Sequence, residues 1–179
     1  MQSTRKISKY FSYILRHHPE AIGITLDDEG WAQIDELIEK TKKFKLTMEM
    51  IQTVVDTNDK KRFTLSSDKR RIKANQGHSI EVDLALEPID PPDFLLHGTA
   101  QKSIESIMDK GILKGQRHHV HLSETKETAF AVGQRYGKPV LLKIDSNKMA
   151  GDGFKFYKSL NGVWLVEGVP PRYIEIITN

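Results

Sequence analysis

The apolar residues of this 179-residue chain change their spacing once, around Glu87-Pro88-Ile89-Asp90-Pro91-Pro92, and this change most narrows the possible folds. Before it the spacing is helical. Ile7, Tyr10, Phe11, Ile14 and Leu15 form one stripe behind a possible Ser3 cap, and Pro19 ends the helix because the residue before a proline is pushed out of helical geometry. A second helix is expected after Gly30, with Trp31, Ile34, Leu37 and Ile38 facing inward. A third is expected behind Thr47, with Met48, Ile51, Val54 and Val55 inward. Arg62 to Leu65, the turn Ser66 to Lys69 and Arg71 to Ala74 then read as a hairpin. Three helices followed by a hairpin is the order of a winged helix, a relative of helix-turn-helix modules that binds nucleic acid or protein. Beyond the proline-rich segment, short strands alternate with helices. Strands are expected at Phe94–His97, Val120–Ser123, Pro139–Asp145, Val163–Glu167 and Tyr173–Ile177, with helices near Gln101–Lys110 and Glu124–Tyr136. The whole is α+β, with a mixed or antiparallel sheet in the second half.

Composition closes several routes. The chain has no cysteine, which removes disulfides, thiolate catalysis and Cys-ligated zinc. No run of 18 apolar residues occurs and the N-terminus lacks a signal-like apolar core, so a soluble, cytoplasmic protein without membrane partners is expected. A monomer is expected as well, although the sequence does not fix the oligomeric state. No phosphate-loop sequence, glycine-rich dinucleotide fingerprint or HExxH motif is present. The net charge is only +3, but Lys60 to Lys73 holds seven basic residues against the single acid Asp68. Such a stripe can meet phosphate; more often it is a solvated hairpin.

Three clusters could carry chemistry. Arg16-His17-His18 falls at a helix end, where a guanidinium fork can grip phosphate and an imidazole can move a proton. A helix C-terminus also favours cations for purely structural reasons. His97-Gly98-Thr99 follows an apolar strand. Its glycine would let backbone approach a ligand, so that one N–H and one C=O could pair with a carboxamide; alternatively it is a strand-to-helix turn with Thr99 as cap. Arg117-His118-His119-Val120-His121-Leu122-Ser123 holds three histidines, but His119 and His121 lie on one face of a strand and His118 on the other. No carboxylate stands at a familiar ligand spacing, so no metal is expected.

In their order, these segments resemble the RNA 2′-phosphotransferase family over nearly the whole chain. The resemblance is carried by Leu15-Arg16-His17-His18-Pro19-Glu20-Ala21-Ile22-Gly23-Ile24, Asp28-Glu29-Gly30-Trp31, Lys61-Arg62-Phe63 and Gln76-Gly77-His78-Ser79. It continues through His97-Gly98-Thr99, Arg117 to Ser123 and Asn161-Gly162-Val163-Trp164-Leu165. It implies a winged-helix RNA lobe over 1–88 and an ADP-ribosyltransferase-like NAD lobe over 93–179. It also implies NAD as co-substrate and RNA bearing a 2′-phosphate as partner, as in tRNA splicing. The implied reaction ends in 2′-hydroxyl RNA, nicotinamide and ADP-ribose 1″,2″-cyclic phosphate. The implied catalytic tetrad is Arg16, His17, Arg62 and Arg117; Lys61-Arg62-Phe63 favours Arg62 over its hairpin neighbours Arg70 and Arg71.

For NAD the resemblance implies His97, Gly98, Thr99, His121, Ser123 and Arg135, the last near the pyrophosphate, with Asp152 and Gly153 on the adenosine side. Val163 stands where related ADP-ribosyltransferases carry glutamate. A carboxylate there would repel an incoming phosphate, so its loss fits a phosphate nucleophile. The chain departs from the family pattern at Leu96, where tyrosine is expected, and at Tyr136, where histidine is frequent. Two other readings compete: an ADP-ribosyltransferase acting on terminal phosphates of nucleic acid, and a non-catalytic module binding nucleic acid and NAD. A protein-modifying toxin is disfavoured by the missing glutamate.

Overall fold

A computed structural model describes residues 3–177, which fall into two compact units that divide between Ala85 and Leu86. In the first unit, α1 (Thr4–Arg16) buries Ile7, Phe11, Ile14 and Leu15, the expected stripe. Ser3 occupies the cap position without a side-chain bond to the helix. Instead of opening a helix, Trp31 precedes a short strand, β1 (Ala32–Gln33), and α2 (Ile34–Lys40) starts only at Ile34. Then come α3 (Met48–Asp56), β2 (Phe63–Leu65) and β3 (Arg71–Ala74). The strands form an antiparallel sheet in the order β1-β3-β2, with Phe63 opposite Ala74 and Leu65 opposite Ile72. Helix α1 packs on α3 and β3, and Phe11 meets the Phe63 ring edge-on at 5.7 Å. That contact ties the helix end to the start of β2.

The Thr47 hydroxyl accepts from Met50 N–H at α3, and Thr125 does the same for Thr128 N–H at α5 (Lys126–Gly133). Thr47→Ala is expected to cost about 1 kcal/mol, read as a lower urea midpoint, with Thr47→Ser retaining most of it.

Between Ala74 and Leu95 the chain forms neither helix nor strand, yet it is anchored. In the first unit Ser79 N–H donates to Arg16 C=O, Asp83 N–H donates to Asp28 C=O, and Val82 is buried; in the second, Ile89 N–H donates to Phe156 C=O.

The second unit opens with β4 (Leu95–Ala100), α4 (Ile104–Lys110), β5 (Ile112–Leu113) and β6 (Val120–Leu122). After α5 come β7 (Pro139–Ile144), α6 (Ser146–Gly151), β8 (Phe156–Lys158), β9 (Trp164–Val166), β10 (Gly168–Val169) and β11 (Ile174–Ile177). All pairing is antiparallel: β11-β7-β4 form one sheet, β6-β9-β8 another, and β10 pairs with β5. Reciprocal bonds of 2.8 Å between Leu96 and Ser123 join β4 to the chain leaving β6. Leu95, Leu142 and Ile144 point into the main core with Val120, Leu122, Phe156 and Val166. On the opposite face of the same sheet, Leu96 and Leu141 pack with Ala129 of α5. Among the described residues no helix is long and apolar enough to cross a membrane.

Candidate functional site

In the first unit the end of α1 is the chemical focus. The Arg16 guanidinium lies over the Phe63 ring, 5.9 Å from its centre, so Arg16 sits beside the strand entered by Arg62. Arg62 is held by Asn58, whose side-chain oxygen accepts from both its backbone N–H and its Nη1 at 3.3 Å. Asn58 in turn donates to the Ser8 hydroxyl of α1 at 2.9 Å. His17 closes the helix, and its Nδ1 lies 2.8 Å from the Ser79 hydroxyl, which fixes the ring. Ser79 reaches this place because Gly77, at φ 84°, turns the chain back toward the helix end. Asn58 carries no sequence signal that marks it as a site residue, and Ser79 stands out only as part of Gln76-Gly77-His78-Ser79.

In the second unit, strand alternation separates the two sides of His97-Gly98-Thr99. His97 and Thr99 share the face of Leu95, toward the other sheet, whereas Gly98 faces α5. A Cβ on Gly98 would lie 1.6 Å from Ala129 C=O, so close packing of α5 demands this glycine. Thr99 lies within β4 and caps no helix. His97 Nδ1 lies 3.1 Å from the His121 carbonyl, an acceptor, so the ring nitrogen there must carry the hydrogen and Nε2 of the neutral ring is the acceptor. Arg117 Nη1 lies 3.5 Å from His121 Nδ1. Ser123 pairs with Leu96, and one step beyond the Leu122–Trp164 pair the register sets Val163 across from Ser123. Thus His97 and Arg117 both meet His121, and Ser123 joins β4 beside them, whereas Val163 bonds to Ser159 in the turn that leads into β9.

Other expected residues lie apart. Arg135 is exposed just past α5, which ends at Gly133 and not at Tyr136. The Asp152 carboxylate accepts from the Tyr173 hydroxyl at 2.5 Å, and Gly153 follows it at φ 97° where α6 stops, so both have a structural task in ending that helix. His119 rests 5.5 Å from the Tyr157 ring. Glu124, just after Ser123, accepts from Lys158 at 2.6 Å and from Trp164 Nε1 at 2.7 Å, and these bonds hold its carboxyl below the usual range.

Burial pushes His97 below the ordinary imidazole value; the His121 carbonyl opposes this and the Arg117 charge reinforces it. The unfolded chain therefore takes up a proton that the folded chain declines. The stability contribution is fully present above about pH 6.5 and is lost as pH falls below it. Urea midpoints compared at about pH 7.5 and about pH 5.5 should fall for the parent and fall less for His97→Gln. Identical falls would sink the assignment. His119, pushed the same way by burial, supplies part of the remainder.

An α+β chain with two arginines and an oriented histidine at one helix end, and an Arg-His-His cluster on its second unit, is equipped to handle phosphate. It belongs to the RNA 2′-phosphotransferase, Tpt1 / KptA family, whose model matches residues 2–168. It is 56% identical over 174 residues to a protein of Acaryochloris marina named probable RNA 2′-phosphotransferase, covering 96% of each chain. Similar proteins of the same name occur in Pseudomonas fluorescens, at 54% over 173 residues and 95% of each chain, and in Flavobacterium johnsoniae, at 53% over 173 residues, 96% of this chain and 95% of that one.

Proposed function

We propose that this chain removes an internal 2′-phosphate from RNA by transferring it to NAD, with the first unit acting as a winged-helix RNA lobe and the second as an ADP-ribosyltransferase-like NAD lobe. The observation that carries the reading is the family match, which spans Arg16, His17, Arg62 and Arg117 together. In the first step an oxygen of the RNA 2′-phosphate bonds to C1″ of the nicotinamide ribose, and the glycosidic electron pair leaves with nicotinamide. In the second step the 2″-hydroxyl attacks phosphorus and the bond to the RNA 2′-oxygen breaks. The proton of the 2″-hydroxyl ends on the RNA 2′-oxygen, and the products are 2′-hydroxyl RNA and ADP-ribose 1″,2″-cyclic phosphate.

The groups present suit these demands. The nucleophile is already an anion, so it needs positioning and charge compensation more than deprotonation. Arg16, Arg62 and Arg117 supply the charge, and His17, oriented by Ser79, moves the proton in the second step. On the NAD side, His97 Nε2 is an acceptor suited to a ribose hydroxyl. Because Leu96 turns its peptide groups toward Ser123, alternation turns those of Gly98 to the same edge of β4, away from β7. One N–H and one C=O on that edge match a carboxamide. In this reading Thr99, His121, Ser123 and Val163 complete the NAD site, Arg135 binds the pyrophosphate, and Asp152 and Gly153 serve the adenosine side.

The test is to incubate the protein with NAD and a short RNA bearing one internal 2′-phosphate, in the presence of a chelator, and to identify the products by mass spectrometry. Dephosphorylated RNA with ADP-ribose cyclic phosphate is expected. ADP-ribosylated RNA as the end product would replace the reading with a transferase lacking the second step. Reaction only at terminal phosphates, or none, would reject it.

A further inference from the structure

The surface of α1 that leads to His17 is built like a track. Lys6, Lys9, Tyr13 and His17 follow one another at spacings of three and four residues, so they share one face, about 6 Å apart for each four-residue step. Lys6, Lys9 and Tyr13 are exposed, and α1 contains no acid along its whole length. Tyr13 is 49% exposed, large for an aromatic side chain. Its ring lies against His18, with centres 4.7 Å apart and planes inclined by 35°.

That pair is assembled by the chain itself. Tyr13 C=O accepts from both His17 N–H at 3.2 Å and His18 N–H at 2.9 Å, which curls the helix end and carries His18 back over Tyr13. Glu20 then holds His18 Nδ1 at 2.9 Å. A solitary exposed aromatic is ordinary. Here a supported aromatic pair stands one turn before Arg16 and His17, on a helix face whose other exposed side chains, Lys6 and Lys9, are cations; the one carboxylate beside it, Glu20, is engaged by His18. Single-stranded RNA is bound through this combination: bases stack on aromatic rings while cations follow the backbone.

We infer that the exposed face of α1 guides the single-stranded RNA flanking the 2′-phosphate: the Tyr13–His18 pair stacks on a neighbouring nucleobase, and Lys9 meets a backbone phosphate. This rests on the proposed function, because Arg16 and His17 mark where the 2′-phosphate lies. Stacking uses a face that every base possesses, so the platform requires a base but does not choose among bases.

The test reads equilibrium binding, without NAD, of a fluorescent RNA carrying one internal 2′-phosphate and of the same RNA with its flanking bases removed. Tyr13→Ala should weaken binding of the base-bearing RNA about tenfold, whereas Tyr13→Phe should stay within about twofold of the parent. On the abasic RNA, parent and Tyr13→Ala should bind alike. Lys9→Ala should weaken binding of both RNAs and reduce the salt slope by about 0.7. Equal loss on both RNAs for Tyr13→Ala, no loss on either, or failure of the parent to bind would overturn the inference. Turnover of the same RNA by the parent is assayed separately, so a missing reaction rejects the proposed function while the stacking comparison still stands on binding alone.

Discussion

Arg62→Ala and Arg117→Ala are each expected to lower release of 2′-hydroxyl RNA by about a thousandfold or more, while NAD binding stays within about twofold of the parent. ADP-ribosylated RNA should accumulate in both variants. In the proposed reaction the first step attacks through an existing anion and expels a neutral leaving group, so it leans on positioning. The second concentrates charge on the phosphoryl oxygens, and there a missing guanidinium is felt most. Arg62 is preset for such work, because Asn58 grips both its backbone and its Nη1. Arg117 stands at the His121 ring. Lysine keeps the charge but not the two-pronged donor geometry, so Arg62→Lys should recover only part of the rate. Single-turnover reactions sampled over time and resolved by mass would show the intermediate rising and persisting. Parental turnover by either alanine variant would remove that arginine from the proposed tetrad.

Why some of this was legible in the sequence and some was not has a physical basis. Long periodic segments announce themselves: the α1 stripe, the Thr47 cap and the hairpin before Ala74 are all where spacing and turn residues place them. Short elements do not. Helix α6 has only six residues, too few to display a stripe, and its Asp145 cap reads equally well as the end of a strand. Strand β8 has three residues and exists because it pairs with β9, a partner that no local pattern names. Trp31 joins no helix because β1 pairs with β3, about 40 residues further along, and tertiary pairing overrides local periodicity. Site partners are hidden for the same reason. Ser79 lies 62 positions from His17, and nothing in its neighbourhood signals the bond. Residue types with a chemical task could be singled out; the residues that orient them could not.

Gly98 separates two meanings of one motif, and Gly98→Ala is expected to destabilise the second unit by about 3 kcal/mol or more, lowering its thermal midpoint by at least about 12 °C. From sequence, the glycine in His97-Gly98-Thr99 invites a ligand to approach the backbone. In the fold its α-carbon faces α5, and an added methyl would meet Ala129 C=O at 1.6 Å and its carbonyl carbon at 2.5 Å. These are backbone atoms of a helix, so relief requires moving α5 as a body. The contact is mutual, since a Cβ on Gly133 would meet Thr99 C=O at 2.7 Å. Two glycines therefore set the distance between α5 and β4, and with it the place of His97 and Thr99 on the opposite face. Gly151→Ala is the control, because no heavy atom lies within 4 Å of its added carbon and it ends a helix; it should raise stability by about 0.5 kcal/mol or leave it unchanged. If Gly98→Ala kept the parental midpoint and lost only NAD affinity, ligand approach would be the reason for the glycine. A lowered midpoint in protein without NAD assigns it to helix packing.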